Sequence, residues 1–249
     1  MSREVTLQTA RDKLIVALDV DTANRAFDLF DSLRNVVGMF KIGSQLFTAA
    51  GPDIVRKILA KGGRVFLDLK FHDIPNTVAA ASIEAARLGV SIFNIHASGG
   101  TEMMTRAAEA VSETAKREGV PKPKVIAVTL LTSLDSAALR QIGISGDAET
   151  SVANLARAAA TCGLDGVVAS PHEIQIVRAA VPNPEFIIVT PGIRPGCVAT
   201  DDQRRVMTAA GAIRAGADYL VVGRPILNAD DLVAAANSIV AEIEGGFPS

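Results

Sequence analysis

The sequence has few cysteines and no long hydrophobic run. Of its 249 residues, only Cys162 and Cys197 are cysteines, too few to hold a chain of this length together by disulfides and typical of a reducing compartment. No uninterrupted apolar run approaches the ~18 residues that a membrane-spanning helix needs. The first residues, MSREVTLQTARDK, are too polar for the core of a signal peptide. We therefore expect a cytoplasmic protein with no membrane partner.

The sequence also lacks an excess of charge of either sign. It has 27 acidic and 25 basic side chains, a formal net charge of −2. This balance excludes a polycation built to neutralise a nucleic-acid backbone, so no nucleic acid is expected as a partner. Hydrophobic residues make up 49% of the chain and charged residues 21%, which supports a large core and is unlike the composition of disordered chains.

The sequence does contain one repeating pattern. Short apolar runs alternate with alanine-rich stretches of helical spacing, which is typical of a parallel α/β sheet. Eight such runs predict strands, at 14–19, 38–43, 64–70, 91–96, 124–130, 166–170, 186–192 and 219–224. Eight strands in a chain of about 250 residues favour a (β/α)8 barrel. We expect one domain, 1–249, with residues 1–12 as a polar amino-terminal extension.

The stretches between the runs predict outer helices, at 23–34, 76–88, 101–118, 150–162 and 229–244. Three of them are followed by a glycine suited to end a helix, namely Gly89, Gly119 and Gly163. The connection 131–149 is long enough for a short extra helix, and the irregular segment 192–201 is expected to be a mobile lid. The rival architecture, an open doubly wound sheet, usually has a glycine-rich turn after its first strand, where this chain reads DVDTAN.

Charged side chains gather at the ends of the first three predicted strands. Asp19 ends the first strand and Lys41 lies in the second. The third ends with Asp68 and Lys70, which share a face because alternate strand residues point the same way, and Asp73 follows directly. Chemistry in a barrel collects where strands end, and each charge is costly to desolvate alone. We expect them to pair in alternation, so that flanking carboxylates keep Lys70 an ammonium group in a water-poor pocket.

Two other interpretations of this charged cluster stay open at this point. The side chains form a structural network of ion pairs that closes one barrel mouth, without any catalysis. Alternatively, the cluster is a metal site, because Asp68, His72, Asp73 and His96 are ligand types that hold a divalent ion. Two lysines among the same side chains argue against the metal site.

A second group of candidates follows the last two predicted strands, where barrels commonly bind phosphate through backbone amides and a short helix start. Arginine forks suit a phosphate group. These candidates are Pro191, Arg194, Gln203, Gly223 and Arg224. After the fifth strand, the hydroxyl groups of Thr132 and Ser133 suit the edge of a heterocycle, although a helix cap explains them equally well.

Many of these residues lie in motifs that resemble those of the bacterial orotidine 5′-phosphate decarboxylases. The string DLKFHDIPNT at 68–77 carries most of the resemblance, and ALD at 17–19 and KIG at 41–43 precede it. TPGIRP, DDQRR and VVGRPI follow in the same order. The resemblance spans residues 14 to 240. The shorter pattern DxKxxD also occurs in related sugar-phosphate aldolases, whereas the long string together with the later motifs is specific.

The resemblance implies a barrel enzyme that converts orotidine 5′-monophosphate to uridine 5′-monophosphate and carbon dioxide, the last step of pyrimidine nucleotide synthesis. It implies no cofactor and no metal. Lys70 would donate a proton, and the charge array would be completed by Lys41, Asp68 and Asp73. The implied catalyst is a homodimer in which Asp73 and Thr77 reach into the neighbouring subunit's site.

The same resemblance assigns the parts of the substrate to different groups. Asp19 and Lys41 would meet the ribose hydroxyl groups, and Thr132 and Ser133 would hold the pyrimidine. The phosphate would be held by Arg194, Gln203, Gly223 and Arg224, with Pro191 beside them.

Two rival functions remain open on the residues alone. A related metal-dependent aldolase or synthase acting on a ketose phosphate would use the same phosphate loops, but it needs an ion among the carboxylates. A non-catalytic nucleotide-binding barrel would use the charged cluster as an ion network at a dimer interface. Activity that depends on a metal ion would distinguish the aldolase from the decarboxylase. Binding of a nucleotide without its turnover would distinguish the non-catalytic barrel.

Overall fold

The computed structural model describes residues 10–134, 136–144, 147–194 and 207–247. Three predicted features fall wholly or mostly outside these described residues. They are Gln203 among the phosphate candidates, most of the amino-terminal extension, and the expected lid beyond its first three residues.

Eight parallel strands close into a barrel in chain order, and the last strand pairs with the first. They are β1 Leu14–Ala17, β2 Met39–Gly43, β3 Val65–Phe71, β4 Ile92–His96, β5 Lys124–Val128, β6 Gly166–Val168, β7 Ile187–Thr190 and β8 Tyr219–Val222. The prediction of a (β/α)8 barrel is confirmed. Five of the strands end two residues before the apolar run does, because the last residues of those runs leave the ladder for the loops above the barrel.

Helices surround the barrel. In the described residues they are α1 Ala10–Lys13, α2 Ala23–Leu33, α3 Ser44–Ala50, α4 Asp53–Ala60, α5 Pro75–Arg87, α6 Thr101–Glu118, α7 Ser136–Gln141, α8 Ala148–Thr161, α9 Ile174–Ala180, α10 Ala209–Ala215, α11 Arg224–Leu227 and α12 Leu232–Glu244. The five predicted helices are confirmed, and α7 is the short extra helix expected between 131 and 149. No helix of the described part is both long and apolar enough to cross a membrane.

Local sequence signals explain where these helices begin and end. The Thr22 side chain accepts a hydrogen bond from the Arg25 N–H at the start of α2. Asp147 caps α8 in the same way, and each such cap stabilises a helix by about 1 kcal/mol. At the other end of α6, Gly119 adopts a left-handed backbone with φ of 66°, which a residue with a side chain rarely takes.

The inside of the barrel is filled by apolar side chains that come only from strands. These are Ile15, Ala17, Met39, Phe66, Ile92, Ile126, Ile187, Val189, Tyr219 and Val221. We call this cluster the barrel floor. None of its members is more than 8% exposed, so the floor excludes water from beneath the strand ends.

Polar side chains lie directly above the barrel floor. Because strand side chains alternate between two faces, the residue two positions after a floor residue points to the same interior, nearer the carboxyl end of the strand. Lys41, Asp68 and Asn94 occupy such positions in β2, β3 and β4, and Asp19 follows β1 in the same register. The fold therefore directs one polar residue from each of four consecutive strands into the barrel mouth.

Candidate active site

Four of the five charged residues predicted to converge form one continuous chain of contacts. Lys41 Nζ lies 2.9 Å from Asp19 Oδ1 and 3.3 Å from Asp68 Oδ2. Lys70 Nζ lies 2.6 Å from Asp68 Oδ1. The charges alternate in sign along the order Asp19, Lys41, Asp68, Lys70, and we call these four residues the alternating array.

The pKa values of the inner members of the array reflect this pairing. Burial by itself raises the pKa of Asp68, but the charges of Lys41 and Lys70 and the hydrogen bonds from Lys70 and Asn94 outweigh it and hold the pKa below its usual range. Burial lowers the pKa of Lys41, but Asp68 and Asp19 outweigh it and raise the pKa above its ordinary value. Both side chains therefore remain ionised across neutral pH despite their burial.

Lys70 is more accessible than the two inner members of the array, Lys41 and Asp68. Its side chain is 35% exposed, against 11% for Lys41 and 13% for Asp68. The ammonium group is thus held by a buried carboxylate on one side and open to the barrel mouth on the other. This placement leaves the ammonium group of Lys70 open to a molecule in the barrel mouth, whereas the side chains of Lys41 and Asp68 are more buried.

The backbone at Lys70 departs from the regular strand assumed from the sequence. Its φ is 53°, and the register of β3 against β4 shifts between Leu67 and Phe71. A left-handed backbone at a residue with a side chain costs about 1–2 kcal/mol. The expected contact of Lys70 with Asp68 is present, but it is made from a bulged strand rather than through simple alternation.

Asn94 is a site residue that the sequence reasoning missed. It is 1% exposed in β4, where its Nδ2 donates to Asp68 Oδ1 at 2.7 Å and its Oδ1 accepts from the Lys70 N–H at 2.8 Å. The one available signal was a polar residue in the middle of the apolar run SIFNIH. A buried amide in such a run requires hydrogen-bond partners, and here both partners belong to the array.

Gly43 is a second residue whose role was not predicted, although it lies in the KIG motif. A Cβ atom at this position would lie 3.0 Å from Lys41 Nζ and 3.4 Å from Asp19 Oδ1. Any larger residue would press on the ion pair between these two side chains. The absence of a side chain at Gly43 therefore leaves room for the outer half of the array.

Asp73 and Thr77 do not join the array within one chain, which corrects the expectation that all five charges converge. Both residues are exposed, and the Asp73 carboxylate accepts a hydrogen bond of 2.6 Å from the N–H of the next residue, Ile74. After the bulge at Lys70, β3 ends at Phe71, and the chain then leads into α5, which begins at Pro75. The Ile74 side chain between them is 66% exposed, so these residues form a projecting ridge with an apolar tip.

Two adjoining cavities open at the carboxyl ends of the strands. The larger, of about 500 Å³, lies beside Asp19 and the loops after β7 and β8. The smaller, of about 170 Å³, lies beside Asp68 and Lys70. Lys41, Pro191 and Val221 line both, so one elongated molecule can occupy the two cavities together.

The predicted phosphate residues that are described gather around the larger cavity. Pro191, Arg194, Gly223 and Arg224 all line it, together with Arg25, which was not predicted. Arg194 Nη1 donates to the backbone oxygen of Ile193 at 3.0 Å, while its Nη2 is buried and has no hydrogen-bond partner among the described residues. A buried guanidinium nitrogen beside a cavity lined by further arginines suits an anionic ligand.

The predicted pyrimidine residues differ in their placement. Thr132 lines the smaller cavity with Leu130, Leu131 and Val128. Ser133 is exposed in the adjacent turn, which is closed by a hydrogen bond of 3.0 Å from the Leu134 N–H to the Leu131 oxygen. A flat apolar ring with polar edges therefore finds apolar walls and one hydroxyl group in this cavity.

The predicted metal ligands do not form a metal site in the described part of the chain, where no three His, Cys, Asp or Glu side chains converge on one point. The Asp68 carboxylate is already bound by two ammonium groups and an amide. The rings of His72 and His96 pack against each other, with centroids 5.2 Å apart. Burial, followed by the charges of His72 and Lys70, lowers the pKa of His96, which favours a neutral ring.

An eight-stranded parallel barrel with a charged array and a cavity at the carboxyl ends of its strands has the arrangement of a barrel enzyme. Comparison with known proteins defines the class further. The chain belongs to the orotidine 5′-phosphate decarboxylase / HUMPS family, whose family model matches residues 12–239.

Individual relatives agree with this family membership over nearly their whole length. The chain is 54% identical over 242 residues to an orotidine 5′-phosphate decarboxylase of Geobacter sulfurreducens, covering 97% of this chain and 100% of that protein. It is 55% identical over 243 residues to one of Moorella thermoacetica, covering 97% and 96%. A crystal structure of orotidine 5′-phosphate decarboxylase from Lactobacillus acidophilus superposes with a TM-score of 0.82 at 36% identity, covering 92% and 98%. The chain is therefore an enzyme, a carbon–carbon lyase of the carboxy-lyase type.

Proposed function

We propose that this enzyme decarboxylates orotidine 5′-monophosphate to uridine 5′-monophosphate and carbon dioxide, without a cofactor. The observation that carries the proposal is the alternating array, whose free end at Lys70 lines a small cavity joined to a larger one rich in arginine. The relatives with this name support the same substrate. The nucleotide phosphate would lie in the larger cavity and the pyrimidine in the smaller one, with the ribose beside Lys41 and Asp19.

The chemistry requires a fixed positive charge at the reacting carbon. When the bond from C6 to the carboxylate breaks, its electron pair stays on C6 in an orbital perpendicular to the ring π system, so ordinary delocalisation does not lower the barrier. The ammonium group of Lys70 stabilises this localised charge more strongly in the transition state than in the ground state. Carbon dioxide leaves, the Lys70 Nζ proton passes to C6, and the resulting amine takes a proton from water.

The partners of Lys70 make this charge available without reorganisation. Asp68 and Lys41 are held ionised beneath it, and the barrel floor excludes water from below. Fixed charges in such a place interact more strongly than they would in water. The carboxylate of Asp68 would also lie near the departing carboxylate, an arrangement that raises the energy of the bound ground state.

Binding energy at the phosphate is expected to contribute to rate as well as to affinity. Contacts to a group remote from the reacting carbon can drive the ordering of the active site around that carbon. Replacing both Arg224 and Gln203 by alanine is expected to lower kcat/KM without altering the fold. The corresponding loss of transition-state stabilisation is expected to be on the order of several kcal/mol. Steady-state kinetics and circular dichroism check this expectation. Arg157→Ala, on the exposed face of α8, is the matched control, and wild-type kinetics in the double variant would contradict the phosphate assignment.

We further propose that the active unit is a homodimer in which Asp73 and Thr77 of each subunit complete the site of the other. The proposal is supported by the exposure of these residues, by the apolar side chain of Ile74 between them, and by their position directly after the array in the chain. A carboxylate from the partner would place a further negative charge beside Lys70 and extend the alternation.

Subunit mixing tests this shared site. Lys70→Ala and Asp73→Asn are each expected to be nearly inactive alone, since each removes one group from every site. After the two variants are unfolded and refolded together in equal amounts, about one quarter of wild-type activity is expected, because each mixed dimer then has one intact site. Activity that remains at the level of the separate variants would show that both residues serve the same subunit's site.

The proposed reaction itself is tested in one experiment on protein treated with EDTA and freed of metal. Ultraviolet absorbance is followed after orotidine 5′-monophosphate is added, and loss of the substrate spectrum is expected without added metal. Turnover of a ketose phosphate that depends on metal would favour the aldolase, and binding of uridine 5′-monophosphate without turnover would favour a non-catalytic barrel. We propose that the reaction is the last step of pyrimidine nucleotide synthesis in the cytoplasm. This is in keeping with Cys162, whose buried thiol forms no disulfide within the described residues.

A further inference from the structure

We infer that Asn94 is a positioning residue of the alternating array, whose side-chain amide fixes the backbone of Lys70 and the carboxylate of Asp68 at the same time. The inference rests on the proposed function, because positioning of Lys70 is measured through decarboxylation. Asn94 lines neither of the two cavities beside the array. It would therefore act on the substrate only through the two residues that it holds.

The contacts form a closed ring. The Lys70 N–H donates to Asn94 Oδ1 at 2.8 Å, and Asn94 Nδ2 donates to Asp68 Oδ1 at 2.7 Å. The same carboxylate oxygen accepts from Lys70 Nζ at 2.6 Å. The orientation of the amide is fixed chemically, because the backbone N–H needs an oxygen acceptor and the carboxylate needs a nitrogen donor.

The ring explains how Lys70 keeps an unfavourable backbone. Lys70 has a φ of 53° and lies within the shift of register between Leu67 and Phe71. Its N–H donates to the Asn94 side chain instead of continuing the ladder to the neighbouring strand. A strained backbone persists only where the surrounding structure holds it. Here the holding group is a 1% exposed amide from β4, which also fixes the carboxylate that orients the Lys70 ammonium group.

Leucine and aspartate differ from asparagine in ways that separate this role from a merely structural one. Leucine has nearly the size of asparagine but neither donor nor acceptor. Aspartate keeps the acceptor for the Lys70 N–H, yet when ionised it loses the donor and sets a second negative charge against Asp68. When protonated, the new carboxyl group donates as the amide does.

The first test compares Asn94→Leu with Ser82→Ala, which removes a buried hydrogen bond within α5 and touches no residue of the array. The leucine variant is expected to lose about 30- to 100-fold in kcat, the effect of a small displacement of a reacting group. Its affinity for uridine 5′-monophosphate is expected to stay within about threefold of wild type, since Asn94 does not line the cavities. The serine control is expected to keep wild-type kcat.

The second test uses the pH dependence of Asn94→Asp. The charged groups that face this position are Asp68, Lys70 and Lys41, with His96 on the same strand and His72 packed against it. All of them are present in both proteins, so the ratio of variant to wild-type kcat isolates the new carboxyl group. That ratio is expected to rise as the pH is lowered, because protonation restores the donor to Asp68.

The possible outcomes distinguish the positioning role of Asn94 from the proposed function itself. Equal kcat in Asn94→Leu and wild type, or a ratio for Asn94→Asp that does not change with pH, overturns the positioning role. If the leucine variant does not fold, the pH-dependent ratio of the aspartate variant decides. A wild-type protein that binds uridine 5′-monophosphate but does not turn over orotidine 5′-monophosphate overturns the proposed function itself, and this result is obtained before any variant is compared.

Discussion

Replacing Lys70 by alanine is expected to reduce kcat by at least about 10⁴-fold, because the change removes both the cation that stabilises the carbanion and the acid that protonates it. Each of these effects alone is large, and here one side chain supplies both. Rapid sampling of the ultraviolet spectrum of orotidine 5′-monophosphate at high enzyme concentration measures the residual rate. Uridine 5′-monophosphate is expected to bind still, since the arginines of the larger cavity are unchanged.

Lys116→Ala is the matched control for this experiment, since it removes an exposed lysine from α6. It is expected to have wild-type kinetics. Circular dichroism establishes that both variants are folded. Substantial decarboxylation by a folded Lys70→Ala protein would refute the role given to the ammonium group and would return the array to a purely structural network of ion pairs.

Replacing Asp68 by asparagine is expected to have the second largest effect, because this carboxylate is bound by both lysines of the array and by Asn94. Without its charge, two ammonium groups remain close together over the barrel floor with one fewer counter-charge. Removing one partner of a buried ion pair typically costs about 3–5 kcal/mol. We expect a loss of about 10³-fold in kcat, and a lower free energy of unfolding measured by denaturant titration.

The stability difference between wild type and Asp68→Asn should depend on pH in a defined direction. The folded pKa of Asp68 lies below its ordinary value, so the carboxylate stabilises the folded protein fully above the pKa of an unfolded aspartate. That contribution is lost as the pH falls from there through the lower, folded pKa. The difference in unfolding free energy is therefore expected to be constant near neutral pH and to shrink in acid. A difference that grows in acid would mean that Asp68 is not held ionised by its neighbours.

The barrel and the charged residues could be predicted from the sequence because their signals are local. An apolar run followed by a charge identifies a strand and the end of it that faces the barrel mouth, as at Asp19 and Asp68. The helices are equally local, since Gly119 ends α6 where a left-handed backbone is needed. Each of these predictions needs only a few neighbouring residues and the periodicity of one element.

The features of the site that were not predicted from the sequence depend on contacts between distant parts of the chain. Asn94 bonds to a backbone 24 residues away, and no periodicity distinguishes it from another buried strand residue. The role of Gly43 is visible only when Lys41 and Asp19 are placed beside it. The left-handed backbone of Lys70 likewise depends on the register of β3 against β4, which the sequence of β3 alone does not specify.

Asp73 illustrates a different limit. Its spacing from Lys70 predicted that it joins the other charges. However, β3 is bulged at Lys70 and ends at Phe71, and the Asp73 carboxylate accepts a hydrogen bond from the adjacent N–H of Ile74. Spacing along a chain predicts a shared face only while the strand stays regular. Whether the residue completes a site across a subunit boundary is a question about a second copy of the chain, which subunit mixing answers.

The barrel floor also determines how dissolved salt acts on this enzyme. In the described part of the chain, the close-packed side chains of the barrel floor lie beneath the array. Mobile ions therefore approach the charges mainly from the open end of the barrel, and field lines are directed toward that end. Electrolyte is therefore expected to weaken the long-range attraction that draws the proposed anionic nucleotide, with its phosphate and carboxylate groups, inward. Once the nucleotide fills the opening it displaces those ions, so the chemical step should be nearly insensitive to ionic strength even where capture is slowed.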